Sequence, residues 1–298
     1  MVLTHWSPAA RGHLAMLTFS ALVAGSFSFG SMIANKIDPV ALMTARFMIA
    51  GSLIGAAAAL TRGFRRSYFA APWRYLVLAV LFALYFVLMF EGLKTAPPVS
   101  SAAVFTLTPI MSALFGWAFM RQKTTPRMAL ALAVGAVGAL WVIFRADLSA
   151  ALAFDVGRGE AVYFVGCVFH AAYTPLLKKL NRGEPALFFN FAVIVAMILL
   201  LCAYGWGDIA ATDWAGLTTK DWSIVFYLAI FASAFTFVLI RFSSQHLPAA
   251  KVMAYTYLTP SWVIGWEIIL GNGVPRGLIL VGVAMTIVAL WMLLKDES

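Results

Sequence analysis

Long apolar stretches, each ended by a short polar or proline-bearing break, follow one another along nearly the whole chain. They run at about 14–34, 39–60, 73–93, 99–120, 127–144, 160–178, 185–205, 222–243, 249–270 and 276–294. A hydrocarbon layer about 30 Å thick takes roughly 20 residues of helix to cross. The pattern therefore predicts an all-α integral membrane protein with ten transmembrane helices. The breaks carry Asp38-Pro39, Ala96-Pro97-Pro98, Thr125-Pro126, Gly183-Glu184-Pro185, Leu247-Pro248 and Val274-Pro275. Proline at a helix start costs little, because the first N–H groups have no intrahelical partner.

Composition excludes the main alternative. Of 298 residues, 63% are hydrophobic and 11% charged, with a mean hydropathy of +0.91. A water-soluble fold of this size cannot bury so much apolar surface. Ten crossings leave only short loops, hence no room for a nucleotide-binding domain, and no Gly-rich phosphate loop is present. The chain is not expected to hydrolyse ATP. The first thirteen residues are short and polar and lead into a full-length span, so the first helix is expected to be retained.

The net charge of +9 is an orientation signal before it is a nucleic-acid signal. With the N-terminus cytoplasmic, fourteen Lys and Arg fall on inner segments, including Arg62, Arg65, Arg66 and Arg74, against six on outer segments, among them Lys36, Lys94 and Lys220. The excess predicts a multi-pass plasma (inner) membrane protein with both termini in the cytoplasm. Cys167 and Cys202 lie inside apolar runs, and no Cys/His spacing resembles a metal site. Neither a metal nor another cofactor is expected, and nucleic acid is not an expected partner.

The chain also repeats itself. Asn35-Lys36-Ile37-Asp38-Pro39 after the first crossing corresponds to Asn181-Arg182-Gly183-Glu184-Pro185 after the sixth. Pro97, with Leu107-Thr108-Pro109 downstream, corresponds to Pro248 with Leu258-Thr259-Pro260. Pro126 to Ala139-Leu140-Trp141 mirrors Pro275 to Ala289-Leu290-Trp291. The repeats are placed at 1–148 and 156–298. Five crossings per repeat put the halves in opposite orientations, the inverted-repeat plan of secondary transporters, with a site near the midplane between them.

Few residues inside the spans carry chemistry. Pro109 and Pro260 remove backbone N–H groups and leave the Phe105 and Thr256 carbonyls short of partners, which makes them candidate hinges or gates. The neighbouring Thr108 and Thr259 hydroxyls can compensate. Pro175 in the sixth crossing has no mate in the first. An ionisable side chain deep in a bilayer costs about 2.5–3.5 kcal/mol. Arg46 is read as a structural brace bonding to carbonyls of the first crossing, and His170 as a candidate for polar substrate contact or proton response. Glu91, Glu267, Arg241 and Lys251 lie near span ends and are read as snorkelling or loop anchors. Tyr85, Phe86, Phe90, Trp117, Tyr163, Tyr173, Tyr255, Tyr257 and Trp262 fall within crossings, where a tyrosine needs a hydrogen-bond partner or a wet cavity. Small-residue faces at Gly51 and Gly55 and at Ala131, Gly135 and Ala139 permit close helix approach, within the chain or between protomers.

Ten crossings in five-plus-five repeat, Arg46 after Asp38-Pro39, and the paired Leu-Thr-Pro and Ala-Leu-Trp landmarks resemble the drug/metabolite transporter superfamily in its ten-helix EamA branch. Within it the chain looks most like the YddG-type amino-acid exporters. The resemblance covers about 14–294 and implies an inner-membrane exporter of neutral or aromatic amino acids and related metabolites, working by alternating access, not an enzyme. It also implies peripheral fifth and tenth crossings, with the first, third, fourth, sixth, eighth and ninth around a central cavity. On that arrangement Tyr85, Phe86, His170, Tyr173, Tyr255 and Trp262 are the candidate substrate contacts. Three rivals remain open: a sugar-phosphate or nucleotide-sugar exchanger, which needs buried cations such as Arg46 and Lys251; a lipid scramblase; and a membrane enzyme, for which convergent catalytic groups are lacking. The four-helix multidrug exporters place a carboxylate in the first helix, and 14–34 contains none.

Overall fold

The computed structural model describes residues 7–61, 65–153, 155–244, 246–247, 249–275 and 277–295. The repeat landmark Pro248 and the inner-side Arg62 lie outside them. The described residues are helical with no strand. The first three crossings are α1 (Pro8–Ile33), α2 (Pro39–Leu60) and α3 (Trp73–Leu93). The fourth is α4 (Pro98–Phe105) continued by α5 (Thr108–Met120), and the fifth is α6 (Pro126–Ile143). A short α7 (Leu148–Leu152) sits in the long connection, followed by α8 (Arg158–Leu180) and α9 (Ala186–Ala211) as crossings six and seven.

The eighth crossing departs from a plain helix. It runs from α10 (Thr219–Phe226) through a π-helical segment, Tyr227–Phe235, into α11 (Thr236–Ser244). The ninth joins α12 (Ala249–Ala254) by a 3₁₀ turn, Tyr255–Leu258, to α13 (Thr259–Ile269), and the tenth is α14 (Gly277–Leu294). Nine spans among the described residues are each long and apolar enough to cross a bilayer. The broken ninth path completes the ten.

Polar breaks start the helices where the pattern places them. Asp38 accepts from the Val40 and Ala41 N–H groups, and Thr125 from that of Met128, each one residue before a helix-opening proline. Thr218 and Asp221 form a reciprocal capping box on α10.

The packing obeys the repeat. The second crossing pairs with the seventh (α2 with α9) and the fifth with the tenth (α6 with α14), each across the pseudo-twofold relation. The third packs on the sixth (α3 with α8), and its image is the eighth on the first (α11 with α1). Likewise α5 on α8 is matched by α13 on α1. Glycines allow the closest approaches: a Cβ on Gly138 would sit 2.6 Å from the Gly282 carbonyl oxygen, and one on Gly92 would sit 2.6 Å from that of Gly159. Gly51 and Gly55 face Ile194 and Phe191 of α9, and Gly135 faces the Tyr257 ring, so both small-residue faces serve packing within the chain. Leu114, Trp117, Leu130, Leu199, Trp206, Leu278 and Trp291 are exposed on the outer surface, an apolar exterior suited to lipid rather than water.

Candidate functional site

Between the halves lies a cavity of about 330 Å³. Its walls are helical stripes. Phe82, Tyr85, Phe86 and Met89 on α3, and His170, Tyr173, Thr174 and Leu177 on α8, recur at i, i+3, i+4 and i+7, the spacing that puts side chains on one helix face. Ser233, Thr236, Phe237 and Ile240 repeat that spacing on the eighth crossing. Met16, Phe19, Val23 and Ser26 come from α1; Arg46, Phe47 and Ile54 from α2; Asn190, Val193 and Ile194 from α9. Phe105 and Thr256, the residues four before Pro109 and Pro260, also line it. The cavity extends toward the face where α1 begins, past Met16, Ile240, Val252 and Met253.

One side is an aromatic box. Tyr85 stacks on His170 at 4.3 Å between ring centroids, and Phe82 stacks on Tyr173 at 4.6 Å. Phe86 meets Phe82 edge-on at 4.8 Å and Tyr85 at 4.7 Å, while Phe105 closes on His170 at 5.8 Å. Such pairs add about 0.5–1.5 kcal/mol each beyond area burial, which holds the rings in fixed orientations. The Tyr85 and Tyr163 hydroxyls are 3.3 Å apart and share one hydrogen bond. His170 Nδ1 has no hydrogen-bond partner among the described residues.

Against the Phe86 edge of the box stands Arg46, 1% exposed. Its Nε donates to Ser233 Oγ at 2.9 Å and its Nη2 to the Ala232 carbonyl at 3.3 Å. Arg46 thus braces the bundle to the eighth crossing rather than to carbonyls of the first. The reason is the π-helical segment: its wider turn shifts backbone pairing, and Ser233 Oγ donates to the Leu228 carbonyl five residues back at 2.8 Å. Nη1 has no partner among the described residues, and the guanidinium lies 4.5 Å from the Phe86 ring centroid and 5.4 Å from that of Phe47. No acidic side chain lines the cavity among the described residues.

Four of the six sequence-derived contact candidates, Tyr85, Phe86, His170 and Tyr173, are on the cavity wall. Tyr255 and Trp262 stand outside it: the Tyr255 hydroxyl pairs with His13 Nδ1 at 2.9 Å, and Trp262 Nε1 donates to Ser20 Oγ at 3.0 Å. Both tie the ninth crossing to the first. Pro109 and Pro260 are buried behind the wall at matching starts of α5 and α13. The Thr259 hydroxyl donates to the Thr256 carbonyl at 2.7 Å, whereas Thr108 makes no such bond to Phe105. Glu91 pairs with Lys94 at 2.6 Å, and Glu267 accepts from Asn272 at 2.8 Å, so neither acid reaches the cavity. Sequence reasoning missed Asn190, Thr174, Ser233 and Thr236. It weighed ionisable and aromatic residues but not neutral polar ones, although the stripe through His170 contains Thr174 at i+4.

A two-part match settles the lineage. The model of the EamA-like transporter family matches residues 10–144 and again 157–295. The chain belongs to the EamA-like transporter family. This EamA-family chain is 20% identical over 280 residues to the "Uncharacterized transporter YyaM" of Bacillus subtilis, covering 91% of this chain and 92% of that one. It is 21% identical over 286 residues to an "Uncharacterized transporter" of Archaeoglobus fulgidus, covering 95% and 97%. A solved crystal structure superposes with a TM-score of 0.69 at 19% identity, covering 94% of this chain and 95% of that one. That likeness concerns the fold.

Proposed function

We propose that this membrane transporter exports neutral and aromatic amino acids and related metabolites by alternating access, the two halves rocking about the central cavity. The observation that carries the reading is the aromatic box beside Arg46 in one cavity: an apolar surface for a side chain next to polar groups for a backbone. The membership in a transporter family supports movement of a solute rather than catalysis. The Lys and Arg asymmetry of the loops supports an inner-membrane location with both termini cytoplasmic. On that orientation the cavity extends toward the cytoplasm, where an exporter loads.

A zwitterion moves no net charge, so membrane potential does not act on it directly. Sugar phosphates fit less well, because Arg46 is the one Lys or Arg on the wall among the described residues, and a phosphate dianion calls for more than one cation. The test is counterflow in liposomes holding the purified protein, with neutral, aromatic and basic amino acids and a sugar phosphate. Uptake of radiolabelled phenylalanine or leucine driven by unlabelled amino acid is expected. Uptake of the sugar phosphate alone overturns the proposal.

A further inference from the structure

Among the described residues, one buried cation without a protein counter-ion lies at the functional cavity. The other well-buried arginine, Arg74, is neutralised by Glu184 Oε1 at 2.7 Å and donates to two backbone carbonyls. Arg46 is equally buried yet has no carboxylate partner among the described residues, and its Nη1 makes no hydrogen bond. Its Nε and Nη2 are fixed by Ser233 and Ala232 of the π-helical segment, which sets the plane of the guanidinium. A guanidinium bonded on one edge and left without a partner on the other, at the wall of a cavity, is suited to complete its bonding with a planar, bidentate anion.

We infer that Arg46 is the docking group for the carboxylate of the transported solute. This rests on the transport reading above and deepens it. The site takes monocarboxylates with an apolar or aromatic body: the carboxylate reaches Nη1 and Nη2 of Arg46, Phe86 shields the ion pair from the side, and the body lies along Tyr85, His170 and Tyr173. A cation deep in hydrocarbon without a partner is costly, and the solute supplies the compensation while bound. The ammonium of an amino acid is not required for recognition, since among the described residues no acid lines the cavity to receive it. Carboxylates without an amine therefore bind, whereas amines without a carboxylate do not.

The experiment is competition against labelled L-phenylalanine counterflow, with binding followed in parallel by intrinsic tryptophan fluorescence. The probes are 3-phenylpropionate, 2-phenylethylamine and L-phenylalaninamide, on wild type, Arg46→Lys and Arg46→Gln. In wild type, 3-phenylpropionate competes and both probes lacking a carboxylate fail. Arg46→Gln weakens phenylalanine and 3-phenylpropionate by roughly ten- to a hundred-fold, the worth of a charged hydrogen bond, and Arg46→Lys recovers part of it. The wild-type panel stands even if Arg46→Gln does not fold. Competition by 2-phenylethylamine equal to that of phenylalanine, or undiminished phenylalanine affinity in Arg46→Gln, overturns the inference while leaving amino-acid transport intact. Arg46-dependent binding of 3-phenylpropionate with no counterflow of any amino acid supports the docking role and overturns the transport reading instead.

Discussion

Arg74 Nη2 and Glu184 Oε1 lie 2.7 Å apart, both buried, joining the start of the third crossing to the entry of the seventh. Lys36 Nζ and Asp221 Oδ1 meet at the same 2.7 Å between the entry of the second crossing and the start of the eighth. Exchange of the two halves carries one interface onto the other, because the third and seventh crossings map onto the eighth and second. The pairs therefore clamp equivalent interfaces on opposite faces of the membrane, with the charges reversed.

The two clamps differ in strength. Arg74 is held by Glu184, the Leu180 carbonyl at 2.6 Å and the Ala71 carbonyl at 3.2 Å. Burial works against ionisation of Glu184, but the Arg74 guanidinium and the Arg182 backbone N–H outweigh it and hold the carboxyl below the usual carboxylate range. A depressed native value contributes stability that is complete above the unfolded value, about 4.3, and is lost as pH falls through the native one. Unfolding in detergent is expected to show Glu184→Gln less stable than wild type by about 3 kcal/mol at neutral pH, the cost of a buried charge left unpaired. The difference shrinks on acidification below about pH 4. Equal stability at pH 7 contradicts the clamp.

Lys36 is half exposed, so its pair contributes little, about 0–1 kcal/mol, and Lys36→Ala is expected to unfold like wild type. Motion is another matter. With Lys36→Cys and Asp221→Cys in a background lacking Cys167 and Cys202, a short bis-methanethiosulfonate, which joins the two thiols through disulfides, is expected to arrest transport, and reduction to restore it. Undiminished counterflow in the cross-linked protein removes the second–eighth interface from the moving parts.

The fifth and tenth crossings meet at Gly138 and Gly282, away from the cavity. Gly138→Leu inserts a side chain where a Cβ already approaches the Gly282 carbonyl to 2.6 Å, and overpacking of this kind costs about 1–3 kcal/mol. Thermal unfolding should fall accordingly, while the apparent affinity for transported solute in the folded fraction stays unchanged. A change in affinity without a change in stability contradicts the peripheral role.

His170→Phe keeps the ring between Tyr85 and Phe105 and deletes its nitrogens. Loss of one neutral hydrogen bond to solute corresponds to roughly three- to ten-fold in apparent affinity, measured by counterflow at varied concentration, with thermal stability held. Unaltered affinity reduces His170 to a packing ring.

The ten crossings were legible because apolar runs of bilayer length and proline-marked breaks are local signals, and the inverted arrangement followed from the odd count per repeat. The π-helical segment was not: residues 227–235 read as an ordinary apolar run, and only the Ser233 bond to Leu228 and the Arg46 bonds reveal the wider turn. That segment is also why Arg46 pairs with the eighth crossing and not the first. Tyr255 and Trp262 were drawn to the cavity by their aromatic character and by the place the family resemblance gives the ninth crossing. Their partners, His13 and Ser20, are more than two hundred residues away in sequence, a relation no local pattern carries.

Alternating access requires the cavity wall to face each side of the membrane in turn. A single thiol at Thr174→Cys, in a background lacking Cys167 and Cys202, can be probed with an impermeant thiosulfonate reagent applied from either side of oriented proteoliposomes. Modification from both sides during turnover, slowed by saturating phenylalanine, is the predicted result. Modification from one side only, at a rate indifferent to phenylalanine, contradicts it.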